Sequence, residues 1–384
     1  GAFPWRNDWE QFLEYCVDLC FPDEKENKGA RKKASTRVLV CILRTEFRIL
    51  ARLFKMPPLS AFVHRERFRI VHGQMTKLLK NEVFDLVWFE HSFAFTFVKL
   101  LMKQLNVSGS VLVCNAHNIE STLEHGLMGL AQSKWDAVWR RSQVRFMKAM
   151  ESEAFSACNL VVTCSEKDKD RAQALAPDTD FCVVGNGIDT EYFHPSLPGV
   201  SAEYPTLLFT GGFHHPPNCD AVRFFIKEVF PLVRQQIPEC RFVFAGAGAK
   251  QVYDDLYVND ENIQCVSDPV DIRPYFNQAT CFVVPLRAGS GTRLKILEAM
   301  AMEIPVVSTC IGAEGVPYRD GEHLLLADAP SAFATAVIKL CRNFQLRHRL
   351  VRNGAQFARE KYDWKYLCSL MRERLSRELD NLSV

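Results

Sequence analysis

The chain has 384 residues, a formal net charge of +2 and 14 cysteines. This length predicts two domains of roughly 150–200 residues, and the near-neutral charge argues against a dedicated nucleic-acid-binding protein. The cysteines include no CxxC pair, which argues against a zinc site and favours a reducing, cytoplasmic compartment. The sequence shows neither a run of ~20 apolar residues nor the zones of a signal peptide.

The first 80 residues have the least regular pattern. The segment Glu26–Arg37 reads as a solvated basic loop. Residues 38–80 mix Leu, Ile and Phe with repeated Arg and Lys, so they are a candidate amphipathic surface for peripheral contact with an anionic membrane. Ordinary helices with solvated faces are the simpler interpretation of the same pattern.

From Asp85 onward, short apolar runs alternate with helical segments in two successive series. Such series predict an α/β protein with two doubly wound, Rossmann-like domains and with ligands at the carboxyl ends of the strands. The predicted strands are Asp85–Glu90, Ser110–His117, Leu160–Ser165 and Phe181–Asn186, then Thr206–Gly212, Arg241–Gly246, Cys281–Leu286 and Pro305–Thr309. The clearest predicted helices are Trp135–Phe155, Asp220–Gln236, Arg293–Met302 and Glu360–Leu382.

The segment Arg287–Thr309 combines a glycine-rich loop, a helix start and a buried strand. We expect Ser290 or Thr292 to cap the helix, and Arg293 and Lys295 to lie in its first turn. The helix dipole already places positive charge there, so two further cations predict an anionic ligand, such as a pair of phosphates.

Glu298 lies three residues beyond Lys295, on the same face of the predicted helix. It is placed to accept hydrogen bonds from sugar hydroxyls beside the phosphates. The alternative is a structural ion pair between Lys295 and Glu298. The apolar neighbours of both residues disfavour that alternative, because a buried charge needs a partner.

Three motifs, in this order, resemble the donor half of the retaining, metal-independent family 4 glycosyltransferases with the GT-B architecture (glycosyl transferases group 1). They read VVGNGIDTEYFHP, LLFTGGFHHPPNCDAVRFF and GSGTRLKILEAMAMEIPVVST, and the resemblance extends from Asp85 to Trp364. It implies an N-terminal acceptor-side domain in residues 1–186 and a nucleotide-sugar donor domain in residues 187–360, which face each other across a cleft. It also implies a C-terminal helix in residues 361–384 that packs back toward the N-terminal domain. The turn-rich segment Asn186–Pro205 is the predicted linker.

The resemblance also implies roles for donor-site residues. Arg293 and Lys295 resemble the family's diphosphate-binding, catalytic cations, and Glu298 matches its ribose-binding glutamate. Ser290 replaces the glutamate that usually contacts the transferred sugar, and the backbone amides of Ser290–Thr292 would substitute for it. The full set of implied donor-binding residues is Gly211, Gly212, Val270, Asp271, Ser290, Gly291, Thr292, Leu294 and Glu298.

In the N-terminal domain, His117 matches a family histidine that follows a strand and faces the donor sugar, so it is the third implied catalytic residue. Glu90, His91 and Asn118 are the candidate acceptor-side residues. A polar residue pair that follows another strand, Ser165–Glu166, is interpreted as a helix cap.

Two features depart from the family pattern. The strand and glycine-rich loop that open the family's first domain are not found, and Trp9–Pro22 resembles a later part of that domain. We therefore expect the N-terminal domain to be incomplete or divergent. Glu303 occupies a position where relatives often have glycine, which should lower the stability of the helix end.

The resemblance implies a retaining hexosyltransferase that uses a nucleotide-diphosphate sugar, UDP- or GDP-linked, and a glycan or lipid-linked acceptor in polysaccharide biosynthesis. It implies no metal ion or other cofactor. The expected location is the cytoplasm, with peripheral membrane contact through residues 38–80. Two alternatives stay open at this point: a nucleotide-sugar epimerase or hydrolase of the same fold, and a non-catalytic nucleotide-sugar-binding or scaffold protein. The donor base, the sugar, the acceptor and the oligomeric state are not predicted.

Overall fold

The computed structural model describes residues 38–41, 84–103, 109–127, 133–195, 204–256, 260–289 and 292–382. The chain divides into two units, each with its own parallel sheet. The N-terminal unit is the described part of Cys20–Val184 together with the chain end from Leu370. The C-terminal unit is the described part of Gly185–Ser369.

The sheet of the N-terminal unit has five strands that follow each other in chain order, and all neighbouring strands are parallel. They are β1 (Val38–Cys41), β2 (Leu86–Glu90), β3 (Val111–Ala116), β4 (Leu160–Thr163) and β5 (Asp180–Val183). The helices of this unit are α1 (Phe95–Met102), α2 (Glu120–Leu127), α3 (Lys134–Ser156) and α4 (Glu166–Gln173), with a short 3₁₀ turn at Ser92–Ala94. Aliphatic side chains cover both sheet faces, as expected for a parallel sheet between helices.

The sheet of the C-terminal unit has the strand order β11-β10-β9-β6-β7-β8. The chain enters at β6, adds β7 and β8 on one side, and then returns to add β9, β10 and β11 on the other. The point between β6 and β9 is therefore a topological switch point, where α/β proteins bind ligands. The strands are β6 (Thr206–Thr210), β7 (Arg241–Gly246), β8 (Ile263–Ser267), β9 (Cys281–Val284), β10 (Val306–Ser308) and β11 (Leu325–Leu326).

Helices pack on both sides of this second sheet around a phenylalanine-rich core. Phe225 contacts Phe242 with ring centroids 4.6 Å apart, and Phe282 packs on Phe276 at 5.4 Å. Burial of each such ring stabilises the fold by about 1.5–3 kcal/mol. The helices of this unit are α5 (Pro216–Phe224), α6 (Phe230–Gln236), α7 (Ala249–Leu256), α8 (Arg273–Gln278), α9 (Leu294–Ala301), α10 (Pro330–Arg342) and α11 (Phe344–Tyr362). The last helix, α12 (Trp364–Leu382), contributes Met371 and Leu375 to the core of the first sheet.

All eight strands predicted from the sequence are present, with ends shifted by a few residues. The predicted helix Asp220–Gln236 is interrupted by a π-helical segment at Phe225–Val229. The cause is Pro231, which lacks an N–H group and whose ring would clash with the carbonyl of Lys227 in a regular α-helix. The wider turn allows the chain to pass the proline without leaving the core.

Several expectations concern residues that the structure does not describe. Trp9–Pro22, Glu26–Arg37 and most of the basic segment 38–80 lie outside the described residues. Within that segment, Val38–Cys41 forms a strand that pairs with β2. Among the described helices, none combines the length and the apolar composition needed to cross a bilayer.

Candidate functional site

A pocket of about 340 Å³ opens in the C-terminal unit at the switch point of its sheet. Gly211 and Gly212 line it after β6, and Leu286 and Ala288 line it after β9. The start of α9 closes another side with residues from Thr292 to Glu298. The strand order places this pocket where parallel sheets leave a crevice between diverging loops.

Two backbone segments pack closely beside the pocket. Gly246, at the end of β7, has φ +146°, and a Cβ added to it would lie 2.0 Å from the carbonyl oxygen of Gly211. The Gly211 N–H donates to the Ala245 carbonyl at 3.1 Å. Only glycine permits this approach of two backbones.

Lys295 projects from α9 toward the end of β6. Its Nζ donates to Asn218 Oδ1 at 2.9 Å and lies 4.2 Å from the centroid of the Phe209 ring. Asn218 Nδ2 in turn donates to the Gly212 carbonyl at 2.8 Å. The ammonium group is thus held by an amide and an aromatic face, and no carboxylate lies within ion-pairing distance of it in the described part of the chain.

Burial shifts the pKa values of two charged groups in this pocket, Lys295 and Glu298. It lowers the pKa of Lys295 to about 7, with Glu298 raising it and Arg293 lowering it further. Burial also raises the pKa of Glu298 to about 7, and Lys295 opposes that rise. Among the described residues, no group donates a hydrogen bond to the Glu298 carboxylate. Both side chains are therefore short of polar partners that a ligand would supply.

Arg293 is the N-cap of α9, with φ −88° and ψ 81°, and the helix begins at Leu294. The predictions that Arg293 lies in the first turn and that Thr292 caps the helix are therefore wrong. The non-helical backbone at Arg293 turns its guanidinium toward Gly289, where an added Cβ would lie 2.6 Å from Nη2. Ser290 and Gly291 lie outside the described residues.

The segment expected to read the base lies beside the pocket, and Ile272 is its lining residue. Val270 is 84% exposed. Asp271 accepts a hydrogen bond from Arg273 Nη2 at 2.8 Å, and this bond lowers the pKa of Asp271. Arg273 also stacks 4.0 Å from the centroid of the Tyr192 ring. Neither Val270 nor Asp271 lines the pocket that contains Lys295.

In the N-terminal unit, polar residues gather at the carboxyl ends of β2 and β3. Glu90 Oε2 forms an ion pair with His117 Nε2 and accepts a hydrogen bond from Asn115 Nδ2 at 2.9 Å. Glu90 Oε1 accepts a hydrogen bond from Trp88 Nε1 at 2.6 Å. The structure thus brings together the predicted residues Glu90 and His117, which are 27 positions apart.

The ion pair keeps both partners charged. Burial alone would raise the pKa of Glu90. The hydrogen bond with His117 and the charge of His117 outweigh this effect, so the pKa of Glu90 is lowered. Burial alone would lower the pKa of His117, but hydrogen bonds with Cys164 and Glu90 raise it to about 10. The raised pKa favours the imidazolium form of His117 at neutral pH.

His91 completes the cluster with a strained backbone. Its φ of 65° and ψ of 142° lie in a region that non-glycine residues avoid, and its N–H donates to the Asn115 carbonyl at 2.8 Å. Its ring centroid lies 4.6 Å from that of His117. Strain of this kind costs about 1–3 kcal/mol and is typical of functional sites. The third acceptor-side candidate, Asn118, lies half-buried immediately after His117.

Sequence reasoning missed Asn218, Asn115 and Trp88. Asn218 lies in the first turn of α5, directly after two prolines, where an asparagine is easily taken for a capping residue. The predicted cap at Ser165 is confirmed, because Ser165 Oγ accepts a hydrogen bond from the Asp168 N–H at 3.1 Å.

Two family models and several known proteins are similar to this chain. Residues 204–343 match the family described as glycosyl transferases group 1, and residues 15–192 match glycosyltransferase family 4. An uncharacterized 44.6 kDa protein in the cps region of Klebsiella pneumoniae is 29% identical over 170 residues, which cover 42% of this chain and 44% of that protein. A phosphatidyl-myo-inositol mannosyltransferase of Mycobacterium leprae is 28% identical over 206 residues, which cover 52% and 54% of the two chains. The chain thus spans about half the length of these relatives.

Solved structures show the same fold at low sequence identity. A sucrose-phosphate synthase from Thermosynechococcus elongatus aligns with a TM-score of 0.61 at 16% identity, covering 85% of this chain and 80% of that one. The Anabaena protein HepE, in complex with UDP and glucose, aligns with a TM-score of 0.63 at 15% identity, covering 81% of each chain. Because the two family matches together extend over both units and the folds agree, the chain belongs to the group 1 glycosyltransferases with the GT-B fold.

Proposed function

We propose that this chain transfers a sugar, with retention of configuration, from a nucleotide-diphosphate sugar to a glycan or a lipid-linked acceptor. The observation that carries this proposal is the placement of Lys295 and Glu298 in one pocket at the switch point, where burial moves the pKa values of both to about 7. Such a site lacks an anion for its lysine and hydroxyl donors for its glutamate. A nucleoside diphosphate supplies both.

The diphosphate is the leaving group, so the main chemical task is to stabilise the negative charge that develops on it. Lys295 is preoriented by Asn218, and Arg293 stands at the start of α9. Cations held in this way, beside the N–H groups of a helix start, stabilise that charge without reorganisation. We therefore propose that Arg293 and Lys295 perform this step without a metal ion.

We propose that Glu298 accepts hydrogen bonds from the ribose hydroxyls, and that the backbone after β6, at Gly211 and Gly212, contacts the phosphates or the sugar. Thr292 and Leu294 line or flank the same pocket at the start of α9. The base would bind at the rim that Ile272 forms, next to Val270 and Asp271. In this proposal the amides of Ser290–Thr292 contact the transferred sugar.

For the N-terminal unit we propose that His117 faces the donor sugar as an imidazolium, held in that state by Glu90. Glu90, His91 and Asn118 would then form the acceptor side. The reaction belongs in the cytoplasm in this proposal, which fits the free thiols found throughout the described part of the chain.

The names of similar proteins indicate which donor nucleotides and which acceptors to test first. HepE of Anabaena has been solved with UDP and with UDP-glucose, and TarM of S. aureus with UDP, so we propose UDP as the first nucleotide to test and GDP as the second. The mannosyltransferase of M. leprae acts on phosphatidyl-myo-inositol by its name, and the Klebsiella relative belongs to a cps region. These names favour a lipid-linked or polysaccharide acceptor.

The test is a thermal-shift screen of the 384-residue chain with UDP, GDP, ADP and dTDP, followed by an assay of nucleotide release from the matching sugar donor. The preferred nucleotide should raise the melting temperature, because it binds only the folded state. Lys295→Ala and Glu298→Ala should abolish this shift, whereas Lys250→Ala, at an exposed lysine of α7, should keep it. The donor-site proposal fails if no nucleotide raises the melting temperature. Binding without turnover would instead indicate a nucleotide-sugar-binding scaffold.

A further inference from the structure

The outer face of α3 exposes large apolar side chains. Trp135 is 84% exposed, Val138 57% and Trp139 41%. The opposite face of the same helix is buried in the N-terminal unit through residues that include Val144 and Phe155. Exposed tryptophans one turn apart are costly in water, so this face of the helix indicates an interaction surface.

A row of basic side chains runs along one edge of this apolar face. Lys134, Arg141, Arg145 and Lys148 are all exposed. They are separated by seven, four and three positions, and at 3.6 residues per turn this spacing aligns them on one side of α3. The row is about 20 Å long, at a rise of about 1.5 Å per residue.

The acidic residues near this surface are already engaged. Asp136 forms an ion pair with Arg140 at 3.2 Å, and Glu153 pairs with Lys99. Among the described residues, no carboxylate forms an ion pair with Lys134, Arg141, Arg145 or Lys148. The surface therefore combines tryptophan with unopposed positive charge.

We infer that this face of α3 binds the surface of an anionic lipid bilayer. Tryptophan is enriched at the boundary between headgroups and acyl chains, since its ring is apolar and its N–H is polar. Basic residues on a helix that lies in the interface plane attract anionic headgroups. A second copy of this chain fits the surface less well, because pairing two such faces would bring like charges together. The inference does not depend on the proposed transferase chemistry.

Sedimentation with vesicles tests whether the basic side chains of α3 attract anionic lipid. The full chain should sediment with vesicles of phosphatidylcholine and phosphatidylglycerol, and not with vesicles of phosphatidylcholine alone. Each basic residue changes the binding constant about fivefold near an anionic surface. The double variant Arg141→Glu and Arg145→Glu should therefore reduce binding at least about 25-fold.

The matched control carries the same change in net charge at another place. Arg352 and Arg372 are exposed residues within α11 and α12, and Arg352→Glu with Arg372→Glu should retain most of the binding. Charges in the segment 38–80 are present in both double variants, so their contribution cancels in the comparison. Equal loss in the two variants would overturn the inference, as would failure of the unsubstituted chain to bind anionic vesicles.

The depth of the two tryptophan rings in the bilayer tests whether they contact the lipid. Brominated acyl chains should quench the fluorescence of Trp135 and Trp139 in the bound protein. The variant Trp135→Phe with Trp139→Phe should stay bound and lose most of the quenching, whereas Trp135→Ser with Trp139→Ser should bind about tenfold more weakly. If the serine variant instead dissolves a dimer detected by light scattering and leaves vesicle binding unchanged, the face joins two copies of the chain and the inference is wrong.

Discussion

Lys295 Nζ lies 2.9 Å from Asn218 Oδ1, although the two residues are 77 positions apart in the sequence. The same asparagine donates to the Gly212 carbonyl, so it links the start of α9 to the end of β6. Asn218 thereby fixes the direction of the lysine ammonium group without adding a negative charge to the pocket. A carboxylate in its place would compete with the phosphates of a ligand.

Asn218→Ala should weaken nucleotide binding about tenfold. A hydrogen bond to a charged group contributes about 1.5–3 kcal/mol, and part of this is lost when Lys295 is no longer held. Asn218→Asp should weaken binding further, because it pairs the ammonium with a carboxylate. Calorimetric titration with the nucleotide identified by thermal shift measures both effects. Asn353→Ala, which removes an amide contact with the Glu322 carbonyl, is the control and should leave affinity unchanged.

Nucleotide affinity should fall as the pH rises between about pH 6 and about pH 8. The pKa of Lys295 is lowered to about 7, so the free protein loses the ammonium charge across this range. In Lys295→Arg the guanidinium stays charged, and the pH dependence should become flatter. Titration of both proteins with the same nucleotide removes the ionisation of the ligand from the comparison. Parallel pH profiles would show that Lys295 does not titrate in the binding step.

Gly289→Ala should weaken nucleotide binding by displacing the side chain of Arg293. The glycine has φ +125°, and an added Cβ would lie 2.6 Å from Arg293 Nη2. Gly248→Ala is a matched control, because its φ is +75° but its Cβ would have neighbours only at 4.0 Å. Both substitutions should cost about 1 kcal/mol of stability through backbone strain. Only Gly289→Ala should change the affinity, and an equal change in both would remove the role assigned to Arg293.

Glu90→Gln should destabilise the N-terminal unit by about 3 kcal/mol near pH 6, since it leaves His117 without its carboxylate. The pKa of His117 is raised to about 10, so the stabilisation is complete below the ordinary histidine pKa and is lost as the pH rises toward 10. The difference between the two proteins should therefore shrink by about pH 9. Urea unfolding at both pH values measures it. Glu153→Gln, at an exposed ion pair with Lys99, should cost less than about 1 kcal/mol at either pH.

Glu303→Gly should raise the free energy of unfolding. Glu303 has φ 58°, and the hydrogen bonds Glu303 N–H to Met300 and Ile304 N–H to Ala299, at 3.0 and 2.9 Å, form the helix-ending pattern that favours glycine. Glu303→Ala removes the exposed ion pair with Arg359 but keeps the strain. The glycine variant should therefore be about 1 kcal/mol more stable than the alanine variant in thermal unfolding. Equal stability of the two would show that the left-handed backbone costs nothing here.

The strands of both sheets were predictable because parallel strands buried on both faces read as continuous apolar runs. Three strands were not predicted: β1 lies within the basic segment 38–80, most residues of β8 after Ile263 are only partly buried, and β11 has only two residues. The cations and Glu298 were predicted from one continuous motif. Asn218 was not, because its role exists only after the strand order brings α5 beside α9. The N-cap of α9 was also mispredicted. Ser290 or Thr292 was expected there, but the N-cap is Arg293, whose side chain makes no capping hydrogen bond.

The contact between Gly211 and Gly246 limits how the specificity of this pocket can change. A Cβ at Gly246 would lie 2.0 Å from the Gly211 carbonyl oxygen, and a Cβ at Gly211 would lie 3.0 Å from Lys295 Nζ, so a side chain at either glycine would displace groups that shape the pocket. We therefore expect changes in donor preference to arise at other lining positions of the pocket. Libraries designed to alter the donor should leave these two positions constant and vary Ile272, Ala288 and His215.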